Sequence, residues 1–133
     1  MRILLDTQCW LWMVNSPEKL NPRARRLIRE TATELCLSTV SAIEISVKYS
    51  IGKLRLHVPP SEFVPALLAF ERVSVLPLEM THAIRLATLP FHHRDPFDRL
   101  LIAQAQVENL PLTTSDARFE KYDVQVIRAS VGR

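Results

Sequence analysis

Short apolar runs alternate along this chain with longer stretches in which apolar positions recur every three or four residues. The first pattern reads as a buried strand and the second as an amphipathic helix. Arg2 to Leu5 is such a run, followed by helical spacing from Thr7 to Val14. Asn15 to Pro17 breaks that helix, and Asn21-Pro22 opens another, with Pro at the first helical position and an extent to about Thr33. Glu34 to Ser38 predicts a second strand, and Ser41 to about Ile51 a helix stopped by Gly52. After a loop from Leu54 to Pro60, the pattern gives a helix over Ser61–Phe70, a strand over Val73–Leu76 and a helix over Glu79–Thr88. A loop over Leu89–Arg94 leads into the clearest helix, Asp95 to Glu108, and strands follow at Leu110–Thr114 and Val124–Ile127. Strands alternating with helices imply βαβ units. The expectation is an α/β chain with a central, mainly parallel sheet covered on both faces.

Composition narrows the class without naming a function. A chain of 133 residues, 47% of them hydrophobic, predicts a single domain over residues 1–133 with a sizeable core. No apolar run is long enough to span a bilayer. An acid already stands at Asp6, too early for a signal peptide, so the expected location is the cytoplasm. Cys9 and Cys36 lack the paired spacing of a zinc site and read as two buried thiols. The net charge of +3 favours an anionic partner. The basic run Arg23, Arg25, Arg26 and Arg29 by itself reads as a solvated helix face.

Ligands of parallel α/β folds bind at the C-terminal ends of the strands. The acids at that edge therefore carry the interest. Asp6 follows the first strand and Asp116 the fourth, and each is also a plausible helix cap. Glu44 falls in Ser41-Ala42-Ile43-Glu44, a capping-box spacing with Ser41 as cap, and shares a stripe with Val47 and Ile51 that is expected to face the core. In Asp95-Pro96-Phe97-Asp98, Asp95 reads as the cap, while Asp98 continues the apolar stripe of Leu101, Ile102 and Ala105 and points inward. Several carboxylates at one edge would repel one another unless a cation neutralised them. Hard oxygen ligands in that number suit Mg²⁺ or Mn²⁺, and the sequence places no His or Cys to assist. His92 and His93 read as surface or RNA-facing, and Lys48 as an i,i+4 ion-pair partner of Glu44. Trp10 and Trp12 read as packing residues of the core or of a dimer.

These motifs together resemble the PIN-domain nucleases over almost the whole chain. The matching segments are Leu4-Leu5-Asp6-Thr7, Ser41-Ala42-Ile43-Glu44-Ile45, Asp95-Pro96-Phe97-Asp98-Arg99-Leu100-Leu101-Ile102-Ala103-Gln104-Ala105 and Leu112-Thr113-Thr114-Ser115-Asp116. The resemblance implies a three-layer α/β/α sandwich and a metal site of Asp6, Glu44, Asp98 and Asp116, holding Mg²⁺ (or Mn²⁺). It also implies endoribonuclease activity and, for the VapC toxin kind, a cognate VapB-type antitoxin and a homodimer. Where the family often has Thr-Arg-Asp, this chain has Thr114-Ser115-Asp116, so the acid is kept while a basic phosphate contact is missing.

Two other classes fit less well. A phosphoacceptor signalling domain would carry adjacent acids after the first strand and a Lys after the last, and an Asp-x-Asp phosphatase would need an acid where Gln8 stands. The remaining alternative is a PIN-fold module that binds RNA or protein without cleaving. It has no need of all four acids.

Overall fold

A computed structural model of the protein describes residues 1–130. The strands are β1 (Arg2–Leu5), β2 (Glu34–Ser38), β3 (Val73–Leu76), β4 (Leu112–Thr114) and β5 (Val126–Arg128). The helices are α1 (Thr7–Asn15), α2 (Pro22–Arg29), α3 (Thr39–Ser50), α4 (Pro60–Leu68), α5 (Met80–Arg85) and α6 (Pro96–Glu108), with 3₁₀ turns at Pro17–Lys19, Leu86–Thr88 and Ala117–Lys121. The sheet order is β3-β2-β1-β4-β5, and every pairing is parallel.

Alternation along β1 divides the core. Ile3 and Leu5 point to one face, where α1 to α4 supply Trp10, Ala24, Ile45, Phe63 and Leu67. Leu4, with Cys36, points to the other, where α6 supplies Leu101, Ile102 and Ala105. Right-handed crossovers explain this division. The chain steps from β1 out to β3 with helices on one face, then returns across the sheet to β4 and places the later helices on the other. The result is the expected three-layer α/β/α sandwich. The strand order reverses between β1 and β4, and ligand clefts of such sheets open at the C-terminal ends of those two strands.

Element ends differ from the sequence expectation where local chemistry overrides apolar spacing. α2 stops at Arg29, short of Thr33, because Thr33 is buried in the turn that enters β2, its N–H donating to Glu30 O. α3 begins earlier than Ser41, since Ser38 is the cap and its Oγ accepts from Val40 N at 2.9 Å. Ser41 instead accepts from Thr7 Oγ1 at 2.9 Å, tying α1 to α3, so the Ser41–Glu44 capping box does not form. The inner face of α3 is Val40, Ser41, Glu44 and Ile45, whereas Val47 and Ile51 face outward. α5 is one turn shorter than expected and ends in a 3₁₀ turn. α6 runs as read, capped by Asp95 and closed by Asn109 in the left-handed conformation (φ 54°). Both cysteines are buried, as their isolation in the sequence suggests.

Candidate metal centre

Two cavities compete for attention. The larger, about 820 Å³, is an apolar groove between α1, α2 and α4 that reaches Leu35 and Val73 at the starts of β2 and β3. It therefore lies away from the edge where parallel sheets bind ligands. The smaller, about 360 Å³, opens at the C-terminal ends of β1 and β4 and is lined by Asp6, Glu44, Asp95, Asp98 and Asp116, with Lys48, Lys53 and Ser115. All four acids singled out by sequence meet here, along with the capping residue Asp95.

The backbone accounts for the convergence. Asp6 leaves β1 in extended conformation and caps α1, accepting from Cys9 N at 2.8 Å. Its backbone N–H donates to Thr113 O of the neighbouring strand, which fixes it beside the end of β4. Thr114 then joins two acids. Its hydroxyl donates to Asp6 Oδ2 at 2.5 Å and accepts from Asp116 N at 3.0 Å. Asp98 stands at the third position of α6, after Asp95 has capped that helix by accepting from Phe97 N and Asp98 N. Glu44 is not at a helix start but more than a turn inside α3. Its Oε2 accepts from Lys48 Nζ at 2.5 Å, the i,i+4 pair expected from the sequence.

One participant was not legible. His93, expected at the surface, is 3% exposed and lies between two of the acids. Its Nε2 is 3.0 Å from Asp98 Oδ2 and 2.9 Å from Asp116 Oδ2, and its ring stacks edge-on against Phe119. Nδ1 accepts from Asp95 N at 3.1 Å, which places the ring proton on Nε2. His93 is thus a donor aimed at the carboxylates, with no nitrogen left over to ligate a cation. The contact spans 23 residues of sequence to Asp116, so nothing local announces it.

The cavity divides its acids electrostatically. Burial raises Asp98 to about 8, and the charges of Asp95, Glu44, Asp6 and Asp116 add to the rise. Burial likewise raises Asp6, against the hydrogen bonds from Thr114 and Cys9 that pull it down. Asp116 goes the other way. Burial pushes it up, but the side-chain and backbone hydrogen bonds of Arg118, joined by His93, outweigh that and hold it at about 2. Lys48 is raised by its bond to Glu44. Crowded anions at this density call for a counter-cation.

The donor set fits a hard divalent ion. The side chains gathered at the cavity offer oxygen donors, carboxylates above all, and a chain preferring Zn²⁺ would present thiolate or free imidazole instead. Glu44 adds an independent sign. The residue is 5% exposed, and its Oε1 is buried with no hydrogen-bond partner among the described residues. A buried carboxylate oxygen left unpaired is costly unless something absent from the protein itself completes it.

Comparisons with other proteins agree with this architecture. In a search of curated proteins no sequence matches the chain. Among solved structures, it is similar to a chain of VapBC2 from Rickettsia felis bound to a DNA fragment from its promoter, with a TM-score of 0.74, 14% identity and coverage of 98% of this chain and 100% of that one. It is similar also to chains of DNA-bound VapBC from Salmonella typhimurium (TM-score 0.66, 20% identity, 96% and 98% covered) and of VapBC-1 from nontypeable Haemophilus influenzae (0.65, 20%, 96% and 98%). At these identities the likeness concerns the fold. The sequence itself matches the PIN domain family over residues 3–125, a span that takes in all four acids and His93, and the chain belongs to that family.

Proposed function

We propose that this protein is a metal-dependent endoribonuclease and a toxin of the VapC kind. The observation that carries the reading is the unpartnered, buried Oε1 of Glu44 in a cavity shared with Asp6, Asp98 and Asp116. Those four residues would hold the ion, Mg²⁺ or Mn²⁺, through carboxylate oxygens. Bound there, a divalent ion supplies Lewis-acid charge for hydrolysis of a phosphodiester.

The chain's own residues supply the rest. Thr114 keeps Asp6 and Asp116 at a fixed spacing across β1 and β4. His93 donates to Asp116, with its Nε2 also 3.0 Å from Asp98 Oδ2, and orients Asp116 as hydrogen bonds from outside a metal site generally do. Lys48 offsets part of the negative charge at Glu44. Water reaches the cluster through the open mouth of the cavity, and the expected substrate is single-stranded or loop RNA. With no free imidazole pair to promote attack by the 2′-hydroxyl, the products are expected to carry 3′-hydroxyl and 5′-phosphate ends.

A restraining partner follows from such an activity, and the similar structures named above are VapBC complexes. We assign this chain a VapB-type antitoxin, a homodimeric state and a cytoplasmic location. Among the described residues no helix is long and apolar enough to cross a membrane. The test is incubation of purified protein with total RNA in Mg²⁺ and in excess chelator, with mapping of the new ends. Cation-dependent cuts bearing 5′-phosphates support the reading, and full activity in chelator or cyclic-phosphate ends would sink it.

A further inference from the structure

Asp116 has no room for a cation while Arg118 holds it. An ionised carboxylate offers about four lone-pair sites, two on each oxygen. All four are taken. Oδ1 accepts from Arg118 N at 2.9 Å and Arg118 Nε at 3.0 Å, and Oδ2 accepts from Arg118 Nη2 at 2.8 Å and His93 Nε2 at 2.9 Å. For Asp116 to ligate anything, a donor must leave.

The surroundings decide which one. The backbone N–H of Arg118 belongs to the cap of the Ala117–Lys121 turn. The His93 side chain is 2% exposed and is pinned at Nδ1 by Asp95 N and against Phe119. The Arg118 side chain is 57% exposed and has no other carboxylate partner among the described residues. Solvent can replace both bonds of this exposed fork, so it is the donor that can leave without disturbing the turn or the buried ring. Once released, the guanidinium stays tethered beside the cluster by its short turn. It then presents a planar fork that matches a phosphate. The cations that line the cavity wall are Lys48, which is engaged by Glu44, and Lys53, which follows α3, whereas Arg118 reaches the cluster through Asp116.

We propose that Arg118 is an exchangeable latch, which occupies Asp116 in the cation-free protein and passes to the RNA backbone when a divalent ion takes Asp116. Resting on the nuclease reading, this supplies the basic phosphate contact that Ser115 cannot provide. It also makes cation binding and substrate grip successive uses of one side chain.

The test compares wild type with Arg118→Ala and Arg118→Lys. The first readout is Mg²⁺ and Mn²⁺ affinity by titration calorimetry, without RNA. Loss of an exposed pair that competes for Asp116 should tighten binding about three- to tenfold in Arg118→Ala. Arg118→Lys, which keeps charge but loses the fork, should fall between the two. The second readout is steady-state cleavage of a short single-stranded RNA at several salt concentrations. Arg118→Ala should raise KM with kcat nearly unchanged, and the salt slope of log kcat/KM should shrink by about one. Arg118→Lys should recover most of the slope. Equal cation affinity in all three proteins overturns the latch while leaving the nuclease reading intact. Tighter cation binding with unchanged KM and salt slope overturns the handover to phosphate. Failure of every protein to bind a divalent ion overturns the latch and the nuclease reading together.

Discussion

Replacing Asp98 by Asn should stabilise the cation-free protein while abolishing cleavage. Unfolded, Asp98 titrates near 3.8, and in the folded chain near 8. Between those values the folded state keeps a proton that the unfolded state has released. The stability tied to this proton is present in full below the unfolded value and is lost as pH rises through the folded one. Each unit of difference is worth about 1.4 kcal/mol, so Asp98 alone costs the wild type roughly 1 to 2 kcal/mol at pH 5 and about 4 kcal/mol at pH 7. Sharing of the proton among neighbouring acids brings the expected gain of Asp98→Asn at pH 7 to about 3 kcal/mol, or about 10 °C in melting temperature for a chain of this size. Asn matches Asp in shape and keeps an oxygen beside His93 Nε2, so the geometry is kept while the charge goes. The assay is thermal unfolding in chelator at pH 5, 6, 7 and 8, read as the difference between variant and wild type, which cancels groups that titrate in both. That difference should widen with pH. Saturating Mg²⁺ should raise the wild-type melting temperature and leave the variant nearly where it was. A variant no more stable than wild type at pH 7, or a difference that narrows from pH 5 to pH 8, would refute the reasoning.

Asp95→Asn retains a competent cap and should melt within about 0.5 kcal/mol of wild type, whereas Asp95→Ala should lose about 1 kcal/mol by leaving Phe97 N and Asp98 N without their acceptor, as denaturant unfolding would show. Lys48→Met strips the Glu44 side chain of its one hydrogen-bond partner among the described residues. It should lower chelator-state stability by about 1 to 3 kcal/mol, with most of the loss restored by Mg²⁺. Thr114→Val removes the hydroxyl between Asp6 and Asp116 and should weaken Mg²⁺ binding about tenfold or more in calorimetry, with the far-ultraviolet spectrum unchanged. Asp116, held at about 2, stabilises the fold above the ordinary carboxyl value and ceases to do so as pH falls through 2. Arg118→Ala should accordingly shift the acid-unfolding midpoint upward.

Apolar periodicity was enough to place every strand and the three-layer arrangement, because the inner strands are short buried runs and the edge strands β3 and β5 still bury Val73, Leu76 and Ile127. It also placed Asp6, Asp98 and Asp116, since strand ends and helix starts carry the ligand edge by topology. Periodicity failed where the answer depended on contacts distant in sequence. The start of α3 turned on Ser38 and Ser41, two serines three residues apart with equal local claims to be the cap. Only the approach of Thr7 decides that Ser41 faces inward. His93 was illegible for the same reason, as its partners come from α6 and from the turn after β4. So was the fork of Arg118 on Asp116, although a basic residue two positions past a capping acid is a local signal that could have raised it.

The central position of β1 has a consequence for when this centre can exist. Asp6 is bonded to Thr114, 108 residues further along the chain, and β4 pairs directly with β1. A growing polypeptide that already carries Asp6, Glu44 and Asp98 still lacks both the strand that fixes Asp6 and the fourth acid. Closing so large a loop is entropically demanding and is rewarded only when β4 docks. Assembly is therefore all-or-none. Chains that stop short of Asp116 hold their carboxylates without the strand and the acid that complete the cluster, so on the proposed reading the chemistry waits for synthesis to pass β4.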